Sequence, residues 1–302
     1  ARTTRTQFQK RLKMPIQNIA RFAKAISQSG SFHNIFFHKT SAPTPVARTW
    51  LDLSMGAGIP KYNAYVGSQT TATRFIGSGN DGMYLGAQPP AGKSRYINTA
   101  LIQSTTNSLA PGLIVLADYL MHYPLLDGDN TDIQDMDNTL TLPRYQTGAG
   151  VMCMAVCTTP MTANAICTVN YTNSEGTPNR TSTFTLIASS NVGTIVSSSD
   201  TSGSTNSKSP FIPLANGDSG IRSIESVTLT TGSGGFFALV LVKTLTNIQM
   251  LEVGVPTEIQ HIQQRGCMLP KIEDGAYLNM IALVNNTGAI APLRGFIELG
   301  II

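Results

Sequence analysis

Charged side chains are scarce in this chain: Asp, Glu, Lys and Arg make up 13% of 302 residues, roughly half of the usual quarter. A surface so poor in charge must be built mostly from the abundant Ser, Thr, Asn and Gly, which suits a protein packed against other subunits. Apolar runs are short as well. None reaches the roughly eighteen residues of a membrane span, so no membrane partner is expected. The N-terminal stretch has no continuous apolar centre, and a signal peptide is not expected there. Only four histidines occur. None stands at a telling distance from a Ser, Cys or carboxylate, so no acid–base constellation, no cofactor and no enzymatic activity are expected. Four cysteines complete the short supply: Cys153, Cys157, Cys167 and Cys267. Cys153 and Cys157 lie four apart in a strand-like run, roughly 13 Å along one face, which is too far for a disulfide. Without a Cys-x-x-Cys or a His pair there is no zinc set. Buried free thiols in a reducing compartment are the expectation.

Acidic residues are missing altogether from the first fifty positions, which carry nine Lys and Arg; the remaining 252 carry twelve against seventeen acids. A basic arm of +9 is thus joined to a body of −5, an asymmetry typical of a segment that meets an acidic surface or nucleic acid. Residues 3–29 read as helical. Phe8, Leu12, Ile16, Ile19, Phe22 and Ile26 recur at three- and four-residue steps to make one apolar stripe, while Arg11, Lys13, Arg21 and Lys24 fall largely outside it. Pro15 bends the segment and Gly30 stops it. The stripe would pack on the protein's own body, on a membrane surface or on a neighbouring subunit, and the last reading is preferred. Residues 1–40 are therefore taken as a basic amphipathic helical arm, and 41–96, rich in Pro, Gly, Ser and Thr, as an extended irregular segment.

From residue 97 to 302 the pattern is that of short strands. Ile97–Gln103, Leu113–Met121, Val151–Cys157, Ala165–Tyr171, Thr181–Leu186, Ile224–Thr230, Phe236–Lys243, Tyr277–Val284 and Leu293–Ile301 are the candidates. Val169 and Tyr171 alternate with Thr and Asn, as do Phe184 and Leu186 with Thr, which predicts a hairpin with one wet face. Phe236–Val242 is apolar throughout and reads as a strand covered on both sides. The fold class expected is mainly β, an antiparallel sandwich of jelly-roll type carrying the helical or extended arm.

Motifs that carry chemistry fail on mechanics. Ala87–Ser94 is a relaxed phosphate loop ending in Lys93, and Asp118 stands where a magnesium ligand belongs. Pro89 and Pro90, however, remove two backbone donors from the loop, and an ordinary Pro-Gly turn is the better reading. Gly217-Asp218-Ser219-Gly220 echoes a protease nucleophile loop without a histidine in the matching context, so a turn explains it. Asp127, Asp129 and Asp132 could offer oxygens to calcium, but no Gly stands at the sixth position of such a loop and Asn138 takes the twelfth. A solvated acidic loop is favoured; a weak calcium site or a dock for a neighbour's basic arm is the alternative. The glycosylation triplets at Asn170, Asn179 and Asn285 are chance products of an Asn/Thr-rich chain.

Leu116–Tyr123 (LADYLMHY), Leu142–Val151 (LPRYQTGAGV), Val169–Asn173 with Gly176 and Arg180-Thr181, Phe211–Leu214 with Gly217–Ser223, and Val227–Leu229 stand in order over residues 113–243. Arg11-Leu12-Lys13-Met14-Pro15 and Ser29-Gly30-Ser31-Phe32-His33 precede them. This series resembles a family of tailed-bacteriophage virion structural proteins, generally without an assigned activity. The resemblance spans about half of the chain and does not extend to residues 40–95. It implies a non-enzymatic subunit, first of all a capsid decoration or auxiliary head protein. A jelly-roll major capsid protein, a collar or tail component, or an arm that binds packaged genome are the alternatives. It further implies other virion proteins and copies of the chain itself as partners, and a virion assembled in the host cytoplasm as the location.

Overall fold

The computed structural model describes residues 32–42, 44, 47–77, 82–106, 111–198, 209–261, 269–287 and 292–302. In chain order its strands are β1 (Phe32–Lys39), β2 (Trp50–Asp52), β3 (Gly58–Ile59), β4 (Thr73–Arg74), β5 (Arg95–Ser104), β6 (Gly112–Asp127), β7 (Gln134–Asp135), β8 (Val151–Cys157) and β9 (Ala165–Asn173). They continue as β10 (Arg180–Leu186), β11 (Thr194–Ile195), β12 (Ser197–Ser198), β13 (Ile221–Leu229), β14 (Phe236–Met250), β15 (Thr257–Gln260), β16 (Lys271–Ile272), β17 (Leu278–Leu283) and β18 (Leu293–Ile301). The protein is mainly β, and its strands pair antiparallel.

All nine strands expected from the sequence are present, β8 and β18 within the expected bounds. β6 and β14 run much further, because both are apolar or β-branched almost throughout. They pair with each other from Phe236↔Asp127 to Met250↔Gly112, through three register shifts. β14 also pairs with β8, and β6 with β17. β11 and β2 complete the circuit, so β14, β8, β11, β2, β17 and β6 close into a ring, with β4 added beside β6. Alternation then assigns each face of the ribbon. Val115, Ala117 and Tyr119 of β6, with Ala238, Val240 and Val242 of β14, fill the interior of the ring. Phe237, Leu239 and Leu241 face outward against β9, β10 and β13, packing on Val169, Tyr171, Phe184 and Leu186. At the other end Ile114, Leu116, Ile248 and Met250 face outward against β1, β5 and β18. One closed sheet therefore serves as the inner wall of two sandwiches, and Phe237–Val242 is covered on both sides as its composition predicts, while Phe236 stays exposed.

The β9–β10 hairpin forms with Arg180 opposite Tyr171, and its Thr-rich face is left outside. Two stretches behave differently from the reading of the sequence. Residues 32–39, grouped with the helical arm, form β1, which lies between β18 and β3. Phe36 points out and Lys39 points in, which breaks the alternation that would have marked a strand. Residues 41–96, grouped as an irregular segment, supply β2 and β4 to the ring sheet, and β3 and the start of β5 to the sheet that contains β1 and β18.

Candidate functional site

The buried titratable side chains around the ring come partly from segments that the sequence leaves inconspicuous. Asp52 ends β2 with its carboxylate wholly buried. One carboxylate oxygen accepts from the Ser54 backbone N–H at 2.9 Å and from the Tyr119 hydroxyl at 2.7 Å. The other accepts from the Ser54 hydroxyl at 2.7 Å and from the Tyr65 hydroxyl. Burial pushes this carboxyl above its ordinary range, and the four donors pull against that. Burial and the Asp52 charge hold the Tyr65 and Tyr119 phenols protonated, well above their ordinary range. Lys39 lies close enough to feel the same charge. Its ammonium donates to the Gly56 carbonyl at 3.0 Å and the Pro60 carbonyl at 2.5 Å, and burial, offset by Asp52, lowers it to about 8.

A second tie shares Tyr119 with the first. Arg144 grips Asp118 with two bonds of 2.7 and 2.8 Å, and donates as well to the carbonyls of Tyr119 at 2.9 Å and Phe75 at 3.4 Å. The Tyr277 N–H closes on Asp118 at 2.9 Å. Burial raises the Asp118 carboxyl and Arg144 opposes the rise. Phe75 and Tyr65 enter the ring from the connecting segment and enclose His122, with ring centroids 4.7 and 5.2 Å from the imidazole. His122 Nε2 meets the Val66 carbonyl at 3.3 Å, while Nδ1 has no partner. Desolvation brings this histidine down to about 4, so it is neutral at ordinary pH.

The chemistry available here is that of a fastener. Asp52 is satisfied by three side-chain hydroxyls and one backbone N–H, and Asp118 and Arg144 by each other and by backbone groups. The sequence carried a readable sign of both carboxylates. Asp52 in Trp50-Leu-Asp-Leu and Asp118 in Leu116-Ala-Asp-Tyr interrupt apolar runs, where an acid persists only if internal donors satisfy it.

The other residues singled out from the sequence are scattered. Phe8, Arg11, Leu12, Lys13, Ile16, Ile19, Arg21, Phe22, Lys24 and Ile26 lie outside the described residues, as does Cys267. Cys153, Cys157 and Cys167 are buried free thiols, and burial raises all three. Asp118, considered for magnesium, is occupied by Arg144. Lys93 follows a Pro90–Lys93 turn with Gly92 at φ +82°. Asp218 is a corner post: it accepts from Arg180 at 2.9 Å, Tyr171 at 2.6 Å and Asn173 at 2.7 Å, while the Ser219 hydroxyl pairs with that of Ser174. Burial pushes the Asp218 carboxyl up, and those donors outweigh it and hold it at about 2. In the acidic loop Asp127 and Asp129 accept from backbone N–H groups, of Asp129 and Gly234 respectively. Among the described residues no group of three or more His, Cys, Asp or Glu could hold a metal ion, so Asp127, Asp129 and Asp132 are not brought together as a site.

What the described surface does offer is apolar. The connecting segment that plugs the ring turns Tyr62, Val66, Ile76 and Tyr84 outward, each at least half exposed. On the flanking sheet β15–β5–β18–β1–β3 the outer face carries Phe36, which is 66% exposed, against Phe296 at 6.0 Å. No helix among the described residues is long and apolar enough to cross a membrane.

No protein-family model matches the chain, and no curated protein does. Among solved structures, that of infectious bursal disease virus Gt strain aligns at 11% identity over 90% of this chain and 81% of the other, with a TM-score of 0.19. T=1 particles derived from infectious bursal virus align at 11% over 90% and 78%, with a TM-score of 0.18. The VP2 subviral particle of the same virus aligns at 11% over 90% and 81%, with a TM-score of 0.16. At such scores the likeness carries no argument about fold or role.

Proposed function

We propose that the chain is a non-enzymatic structural subunit of a virion, assembled with copies of itself and other particle proteins. One observation carries the reading: the buried Asp52, Asp118 and Arg144 are consumed by internal bonds, whereas Phe36, Tyr62, Val66, Ile76 and Tyr84 stand exposed on the outside. Such a molecule is built to be held in place. The segments that resemble phage virion proteins support it, since they supply the ties themselves: Asp118 and Tyr119 in Leu116–Tyr123, Arg144 in Leu142–Val151, and Asn173, Arg180 and Asp218 farther on. Within a tailed-phage particle we place it first as a decoration or auxiliary head protein, with the basic segment before β1 as its anchor. Low charge and many copies on a lattice make modest contacts sufficient through avidity.

Quantitative mass spectrometry of purified particles tests this. The chain should co-sediment at a fixed copy number, and its absence from particles would overturn the reading. Removing residues 1–31 should leave a folded, soluble body that no longer incorporates; undiminished incorporation would defeat the anchor. The cut must stop there, because removal of 1–40 deletes β1.

A further inference from the structure

The outer face of the β15–β5–β18–β1–β3 sheet is organised in rows across the strands. The central row is apolar, with Phe36 opposite Phe296 and Phe296 opposite Leu101. On one side of it runs His38, Arg294 and Gln103; on the other Asn34, Glu298 and Thr99. β18 is the middle strand, and its outward residues Arg294, Phe296 and Glu298 read cation, aromatic, anion at steps of two. Leu293, Ile297 and Leu299 face the core. β3 pairs β1 only at His38 and Lys39, so among the described residues the β1 edge over Phe32–Phe37 has no strand beside it. The face is the broader surface for contact.

We propose that this face is a homodimer contact, packing on the same face of a second copy about a two-fold axis along the Phe36–Phe296–Leu101 row. That axis reverses strand direction across the interface. Phe296 then meets Phe296 of the second copy, and Arg294 meets Glu298 twice over. An axis along the strands would instead set Arg294 against Arg294 and Glu298 against Glu298, so the charges select one orientation. His38 and Asn34 exchange in the same sense. Glu258, opposite Leu101, lies on the axis at the sheet rim and faces its symmetry mate there, one like-charge contact against the two Arg294–Glu298 pairs. β15, β5, β18 and β1 have 4, 10, 9 and 8 residues and give a footprint of roughly 500 Å² per partner, so about 1,000 Å² in all, at the lower limit for a specific contact.

The inference does not depend on the virion reading, because association is measured on the full chain in solution. Sedimentation velocity over a concentration series should give a reversible dimer that weakens with salt. Arg294→Glu should weaken it about tenfold or more by turning two attractions into repulsions. The exchanged pair Arg294→Glu with Glu298→Arg should restore it. Phe296→Ser, a surface change that spares the core, should abolish it. A monomer at all concentrations, an unaffected Arg294→Glu variant or a double variant no better than the single would overturn the proposal. So would a dimer that appears only after removal of residues 1–31, since the chain's own N-terminal segment would then be the occupant of the face.

Discussion

Replacing Arg144 by Ala strands the Asp118 carboxylate in the ring wall with only the Tyr277 N–H for company. Loss of one partner of a buried pair costs about 3–5 kcal/mol, and urea unfolding should record a shift of that size. Asp118→Asn combined with Arg144→Met should recover much of it, since neither then carries an unmet charge. His122 gives a test in pH. Its native pKa near 4 lies below the unfolded value of about 6.5, so between the two the unfolded chain binds a proton that the native one refuses. Stability should therefore fall as pH drops through that window, by about 3 kcal/mol at its end. His122→Phe, which keeps the stack with Phe75, should flatten this part of the profile; an unchanged slope between pH 6.5 and 4 would refute the assignment. Neither residue was identifiable as a tie from the sequence alone, since both acquire their partners from segments far away in the chain.

The segment between β2 and β5 is held by two aromatic anchors and by few strand pairs. Phe75→Ala should cost about 3–5 kcal/mol through the cavity it leaves, and limited proteolysis should then cut within residues 61–77 well before the rest of the body. At this scale the sequence was informative where one physical cue ruled. Strict alternation located β9 and β10, and an unbroken apolar run located β14. It was uninformative where two cues conflicted: β1 shows Phe36 to solvent and hides Lys39, and β2 is three residues long, with an acid inside. Composition marked 41–96 as irregular because Gly, Pro and Ser dominate it, yet a short strand and two rings in the right place are enough to close the barrel. The site shared this fate, because its chemistry rests on those short elements.

β6 and β14 traverse both sandwiches, so the two halves of the molecule share a wall and should melt together. Trp50, the chain's single tryptophan, lies in the ring. Its fluorescence and far-UV dichroism should therefore trace superimposable unfolding curves; two separate transitions would mean that the halves are independent. The place of β18 bears on how such a molecule is made. Chain emerges from the ribosome N-terminus first, and β1 and β5 each wait for β18 to come between them, with Phe32 opposite Gly300. Nearly the whole chain must be looped out before that pairing forms, which makes it slow on entropic grounds. Until then the sheet has a gap at its centre, with two open edges that invite other chains. The hazard for this sheet lasts from the emergence of β1 to that of β18.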